Sequence, residues 1–575
     1  MTDLAQPVGG TERVLRPLPE RVRSSGWLWP LTTLSCVVAL GLVSTWTSPP
    51  PIVAPWDVFT LLDGGYRISR GEIPSVDFGN PIGPLLYELI ALGMRIQTTP
   101  SLAAIAYGNL LFLVVASWLA WSVARPRLSG PWSAVFTVFV ASTVVAVRPL
   151  GFSPSITTYA MLYNRYGWVL YATILVQALI PPVRPWTGRR QTVEGLVLGL
   201  SSALLLYTKI TFFLASVAAA AVGLLFGAIP RTARILTSTA LGLLAVGTVM
   251  RWAFGVRLVA YLGDVADAAR TQGEDQRLLA LARGIYHTLP VSIVTLVVLS
   301  AMLVVARRHG VSQRPLADVA VAAAYVLTSS VLLTAGDAYE REDLPALVVL
   351  PLLLVARSQL PLPQRPSGRT ATNGSPTPTT PHTAALPRLA GASVLLALTA
   401  GLIGTKDVTS LGRAVAQQDV VAHPPQTQRF AAEPLHDFVI PADTGYQTAY
   451  RPSKTVPTMQ NDGLALLRRH LRPGDRVFTT AMTDPFSFAL RLQPPEGGML
   501  WWDVGYDVDS DTHPTPDRVL GKVDWVMIPQ LHAGQGCCQK TVELMIDVYS
   551  GYLSTHFRDV ERTSDWVLLT RIRSS

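Results

Sequence analysis

Repeated uncharged apolar runs decide what this chain can become. The stretches near 27–47, 101–123, 132–148, 166–182, 287–306 and 316–335 carry almost no charge. Each is roughly the 17–23 residues a helix needs to cross about 30 Å of hydrocarbon. Backbone groups in lipid find no water to bond, so runs of this kind must be helices. Further runs at 193–208, 210–228, 235–251, 341–357 and 389–404 bring the total to about eleven crossings. A soluble chain of 575 residues would hold about three or four domains, and the apolar runs exclude that reading. The first run is long and no small-residue cleavage site follows it, so a signal peptide is not expected.

The net charge of +9 does not point to nucleic acid, because the basic residues collect in particular loops. Arg125 and Arg127 share one; Arg184, Arg189 and Arg190 share another. Arg231 and Arg234 follow, then Arg307, Arg308 and Arg314, then Arg357, Arg365, Arg369 and Arg388. None of these loops contains Asp or Glu. The positive-inside rule makes them cytoplasmic, and Arg13, Arg16, Arg21 and Arg23 place the N-terminal tail (1–26) with them. An odd number of crossings then puts the C-terminal part outside. The short run at 82–97 is read as a juxtamembrane or re-entrant helix, because counting it as a span would reverse every later loop. The alternative is a twelfth span with a cytoplasmic C-terminal part.

The chain therefore divides into the tail, a polytopic α-helical membrane domain (27–404) and an extracytoplasmic domain (405–575). A large first outside loop spans 48–100. The third outside loop, about 252–286, mixes acidic and basic residues and reads as a surface helix. "GDAYERED" (336–343) reads as a solvated outer turn. Residues 358–387 are rich in Pro, Ser and Thr and form a disordered cytoplasmic linker. In the C-terminal part, "RVFTTAM", "VDWVMI" and "DWVLLTRI" have strand character. "DGLALLRRHL" and "CQKTVELMIDVYSGYL" are helical, which gives a small α/β domain. It contains no Gly-rich phosphate loop and no nucleophile elbow. Cys36 is a packing residue of the first span. The adjacent Cys537 and Cys538 make a strained ring if paired with each other, and pairing between chains is the other course.

The first outside loop holds the unusual chemistry. "WDVFTLLDGGYRISRGEIPSVDFGNPIGPLLYELI" (56–90) places Asp57, Asp63, Asp77, Arg67 and Arg70 next to the membrane. A carboxylate beside a bilayer is costly unless it reaches water or serves a purpose. Residues 57–71 can form a helix on the membrane surface, with Val58, Phe59, Leu61, Leu62 and Ile68 as apolar contacts. Gly64 and Gly65 weaken that helix. Plainer readings stand beside the functional ones: Asp57 as a helix N-cap, Asp63 and Asp77 as turn residues, Arg67 and Arg70 snorkelling to headgroups. Trp501 and Trp502 are either a sugar-stacking platform or the core of the small domain.

This loop resembles the first outside loop of GT-C glycosyltransferases. These are polytopic enzymes that use lipid-phosphate sugars, such as protein O-mannosyltransferases and aminoarabinose transferases. In many of them an Asp precedes, by about fourteen residues, a G-x-P-Y-x-D-F stretch and a Pro-rich helix start. Here Asp57 precedes Gly71 by that spacing and "GEIPSVDFGNPIGPLLY" follows, with Asp77 in place and Ser75 for the usual aromatic. "MLYNRYGW" (161–168) and "LLLYTKITFFL" (204–214) also resemble stretches of that superfamily. The resemblance implies Asp57 as general base, Asp77 as an orienting or metal-binding group, and inversion at the anomeric carbon. The implied partners are a polyprenyl-phosphate sugar from the bilayer and an extracytoplasmic acceptor. The Lys that many relatives use on the donor phosphate is Ile82 here. Its substitutes are Arg67, Arg165, Lys209 and Arg341. The second outside loop (149–165) lacks Asp and Glu, so no metal is favoured, although a divalent ion is left open. The rival class is a transporter or flippase, which would carry internal repeats and charges at the bilayer midplane.

Overall fold

The computed structural model describes residues 27–48, 50, 52, 55–308, 313–336, 341–359, 401–423, 429–440, 454–530 and 539–573. The 358–387 linker, most of the 389–404 run, Cys537 and Cys538 lie outside them. Five helices are long and apolar enough to cross a bilayer: Leu28–Trp46, Ala103–Ala124, Ala233–Trp252, Asp275–Val304 and Ala317–Ala335. Shorter apolar helices occupy Gly130–Val145, Ile210–Leu225 and Pro345–Ala356. The chain is a predominantly helical, multi-pass membrane protein.

Helices are numbered in chain order. The first outside loop folds as α2 (Pro55–Ser69) and α3 (Leu85–Ile96). At 12 residues, α3 rises only about 18 Å and is too short to span. α4 (Ala103–Ala124), α5 (Gly130–Val145) and α6 (Leu162–Leu179) follow. α7 (Gly188–Thr208) and α8 (Ile210–Leu225) are separated by the single extended residue Lys209. α9 (Ala233–Trp252) leads into α10 (Leu258–Thr271) and the long α11 (Glu274–Arg308).

α2 does not lie on a lipid surface. Every residue of it except Asp57 and Ser69 is buried, and the wrapping is protein. Phe59 packs against Phe430 and Phe438 at centroid distances of 5.8 and 5.1 Å. Tyr66 meets Phe488 edge-on. A Cβ on Gly64 would come within 2.4 Å of the Tyr87 ring. The glycine that lowers helix propensity is thus what lets α2 and α3 close together.

Two further expectations are corrected. Arg127, read as a loop charge, is fully buried. Its guanidinium forks onto Glu194 at 2.8 and 2.9 Å and donates to the carbonyl of Ile180. Glu342 and Asp343 are not a solvated turn. Glu342 accepts from the Trp168 indole, and Asp343 pairs with Arg148 and Lys406, each at 2.7 Å. A buried guanidinium needs such partners, and sequence distance hid both pairs.

The C-terminal part forms a four-stranded sheet in the order β1-β2-β4-β3. β1 (Val477–Thr479) runs parallel to β2 (Trp525–Pro529). β4 (Trp566–Arg571) is antiparallel to both β2 and β3 (Phe557–Arg562). Helices Val456–His470 and Gln539–His556 accompany it. Pro457 near its start and the Thr455 side chain accepting from Thr458 N fix where the first of these begins.

This unit is sewn to the first outside loop. Gly497 N donates to Asp77 O at 2.6 Å, Gly79 N to Gly498 O at 2.8 Å, and Leu500 N to Gly79 O at 2.9 Å. Tyr66 Oη reaches Leu492 O at 3.0 Å. The ribbon 492–500 thereby carries Trp501 to the first turn of α2.

Candidate active site

Asp57 stands inside the first turn of α2, so it is not the N-cap that one reading allowed. The helix dipole favours a carboxylate there. It borders a small cleft of about 20 Å³ lined by Asp57, Thr60, Leu61, Ile82, Tyr87, Met161, Tyr163 and Trp501. Four separate stretches of chain converge here: α2, the start of α3, the start of α6 and the ribbon of the C-terminal unit.

The segment 161–165 serves three neighbours at once. Met161 holds a left-handed φ of 55°, a strained conformation for a side-chain-bearing residue and one that clusters at functional sites. It and Tyr163 line the cleft. Asn164 accepts from Lys209 Nζ at 3.1 Å, and that ammonium lies 5.2 Å from the Tyr163 ring centroid. Lys209 also donates to Gly336 O at 3.3 Å. The break between α7 and α8 is held against the first loop by Gly83 N donating to Thr208 O at 3.1 Å. A Cβ on Gly83 would meet Tyr207 O at 2.1 Å, so only glycine permits this approach. Sequence order separates Asp57 and Lys209 widely; the fold puts both beside Tyr163.

Arg165 points away from the cleft, into the core. It is fully buried, and among the described residues none of its guanidinium nitrogens has a hydrogen-bond partner. It lies within electrostatic reach of Asp407, Arg148 and Tyr159. Arg148 bridges Asp343 at 2.7 Å and Asp407 at 2.8 Å. With Lys406, three cations in this cluster share the two carboxylates Asp343 and Asp407.

Other candidates are placed elsewhere. Arg67 donates to Asp63 at 2.7 Å, to Glu72 at 3.2 Å and to Pro495 O at 2.6 Å. All three side chains are buried. With one guanidinium shared between two carboxylates, burial pushes Asp63 and Glu72 each up to about 7. Arg67 is therefore neither a snorkelling residue nor a free phosphate ligand. Asp77 closes a turn by accepting from Ile73 N at 2.7 Å and is absent from the cleft lining. Arg341 is exposed and also absent from it. Among the described residues no three His, Cys, Asp or Glu side chains converge as a metal site.

The C-terminal unit adds groups that the sequence did not single out. The two tryptophans divide their roles: Trp502 is buried against Phe478 and Tyr549, and Trp501 faces the cleft. Burial, reinforced by the charge of Asp57, pushes the Asp503 carboxyl up to about 7. Burial raises Asp507 as well, and its Oδ1 accepts from Asp503 N at 2.6 Å. The run "WWDVGYD" was the available signal, a dense acidic–aromatic cluster in a domain otherwise read as strands and helices.

No family model matches this sequence, and no curated protein matches it. Solved structures do. The chain is similar to ArnT from Cupriavidus metallidurans bound to undecaprenyl phosphate, with a TM-score of 0.35 and 11% identity over 96% of this chain and 99% of that one. It is also similar to the archaeal oligosaccharyltransferase AglB from Archaeoglobus fulgidus, solved with an inhibitory peptide and a dolichol-phosphate. There the TM-score is 0.32 and the identity 10%, over 87% of this chain and 70% of that one. These likenesses concern the course of the chain and say nothing of individual residues.

Proposed function

We propose that the protein is a membrane glycosyltransferase that moves a sugar from a polyprenyl-phosphate donor to an acceptor hydroxyl outside the membrane. The observation that carries this reading is the half-buried Asp57 at the edge of a cleft, on a helix otherwise buried except for terminal Ser69. Its carboxylate meets a cleft whose Tyr163 wall lies under the Lys209 ammonium. A carboxylate and a cation set around one small cleft suit displacement at a sugar phosphate.

In that reaction Asp57 accepts the proton of the acceptor hydroxyl as its oxygen attacks the anomeric carbon. The bond from that carbon to the phosphate oxygen breaks, and polyprenyl phosphate leaves. Lys209 stabilises the charge that builds on the phosphate. A single displacement inverts the anomeric centre. Trp501 closes the cleft on the side of the C-terminal unit, so the acceptor enters from there and the lipid donor from the helices. Asp77 and Arg67 hold the loop in shape.

The test is reconstitution in nanodiscs with radiolabelled polyprenyl-phosphate sugars and an acceptor extract from the cell envelope. Release of polyprenyl phosphate together with labelled product supports the reading. Movement of the intact lipid-linked sugar between leaflets without bond cleavage marks a transporter instead.

A further inference from the structure

α10 and the elbow before it expose apolar side chains in a pattern that water does not explain. Trp252, the last residue of α9, is 83% exposed, and Val259 is 85% exposed. Leu258 and Leu262 are exposed on the same side. The opposite face is packed, with Tyr261 and Thr271 buried. The apolar exposure stops halfway. Beyond Leu262 the outer face carries Asp267 and Arg270, an exposed ion pair at 2.6 Å. The preceding span exposes an apolar belt, including Leu241, Leu244 and Val249, and only the elbow separates it from the apolar half of α10. At the elbow Arg251 and Arg257 are exposed, with Arg251 over the Trp252 ring.

We propose that α10 is an in-plane helix seated in the outer membrane interface, with Leu258, Val259 and Leu262 among the lipid chains and Asp267 and Arg270 in water. Its occupant is the bilayer, because the face continues a surface that already meets hydrocarbon. A helix with one apolar and one polar side rests at the headgroup boundary. Tryptophan and arginine at the elbow suit that depth.

The buried side of the same helix grips the first outside loop. Asp264 accepts from Asn80 N at 2.7 Å. The Gly255 turn, at a φ of 74°, sets Ile73 within 3.2 Å of where a Cβ would stand. Thr271 Oγ1 donates to Tyr506 O at 2.9 Å. One helix thus touches lipid on one face and, on the other, both loops that border the cleft. Its seat fixes the height of the cleft above the bilayer, which is the height at which a lipid-borne phosphate arrives. Asp264 is a positioning residue in this arrangement.

Spin-label depth measurement tests the seat without reference to enzymatic activity. Single cysteines at 259, 262, 267 and 270, in a background with Cys36, Cys537 and Cys538 changed to Ser, are labelled in nanodiscs. Power saturation then compares dissolved oxygen with a water-soluble nickel chelate. Labels at 259 and 262 should respond to oxygen and be shielded from nickel, with the reverse at 267 and 270. Equal nickel access at all positions overturns the proposal, and so does exclusion of both reagents at 259, which would mean a protein cover. Should the serine background fail to fold, a diazirine amino acid at 259 in the otherwise unaltered chain gives the same answer. Crosslinking to lipid supports the seat, and crosslinking to protein or only to water defeats it.

Discussion

The two ends of α2 use the same residue types to opposite effect. At its start, Asp57 meets a cleft. At its end, Asp63 is locked with Arg67 and Glu72 behind the ribbon of the C-terminal unit. The difference lies in what covers each turn. The ribbon 492–500 seals the later turn and supplies Pro495 O to Arg67, whereas at the first turn it ends and leaves Trp501 as one wall of a gap. A charge in this loop is locked into ion pairs where the ribbon covers it and faces a cleft where the ribbon stops.

The sharpest way to break this contrast is Asp57→Asn. Losing a general base costs about 10²–10⁴-fold in rate. The expected outcome is a protein with the parent's elution profile and thermal midpoint but transfer reduced by that factor. Normal transfer would remove Asp57 from the chemistry and make the two ends alike. Arg67→Ala should do the reverse. It strands two buried carboxylates, a loss of about 3–5 kcal/mol, seen as a lower unfolding midpoint in detergent. The donor KM of the surviving folded protein should stay that of the parent. A raised KM would return Arg67 to the phosphate site.

Lys209→Met tests the cation beside the cleft. Hydrogen bonds to a charged group are worth about 1.5–3 kcal/mol, so kcat/KM for the donor should fall roughly 10- to 100-fold. An unchanged value would remove Lys209 from the phosphate site. The smallest effect is expected for Glu72→Gln. In the native state burial lets Glu72 hold its proton up to about 7, against an ordinary value of 4.5. Between those values the folded chain binds more protons than the unfolded one, so stability falls as pH rises through that window. Removing the titrating group should flatten the dependence of the unfolding midpoint between pH 5 and 8. An equally steep curve in the variant would show that the slope comes from Asp63 or from another site.

How much of this was legible depends on range. The helical character of the membrane domain, the short α3 and the separation of α7 from α8 at Lys209 follow from local pattern, because an apolar run or a lone cation between two runs needs no distant partner. That Asp57 stands close to the first apolar run was likewise visible from its position. The burial of α2 was not, because Phe430, Phe438 and Phe488 lie hundreds of residues away and no periodicity in α2 points to them. For the same reason Arg67 read as a free cation and Asp343 as a solvated carboxylate. Asp503 escaped notice because its environment is set by burial and, to a lesser degree, by the charge of Asp57 across the boundary between units, relations that sequence spacing does not encode.

The pairing of Gly79 with Gly498 and Leu500 bears on how such a chain can be re-engineered or diversify. A soluble unit tethered only by a linker is exchangeable like a cartridge. This one contributes Trp501 as a wall of the cleft beside Asp57, so a chimera that swaps it must carry over the stretch from Leu492 to Trp501 or lose that wall along with the unit.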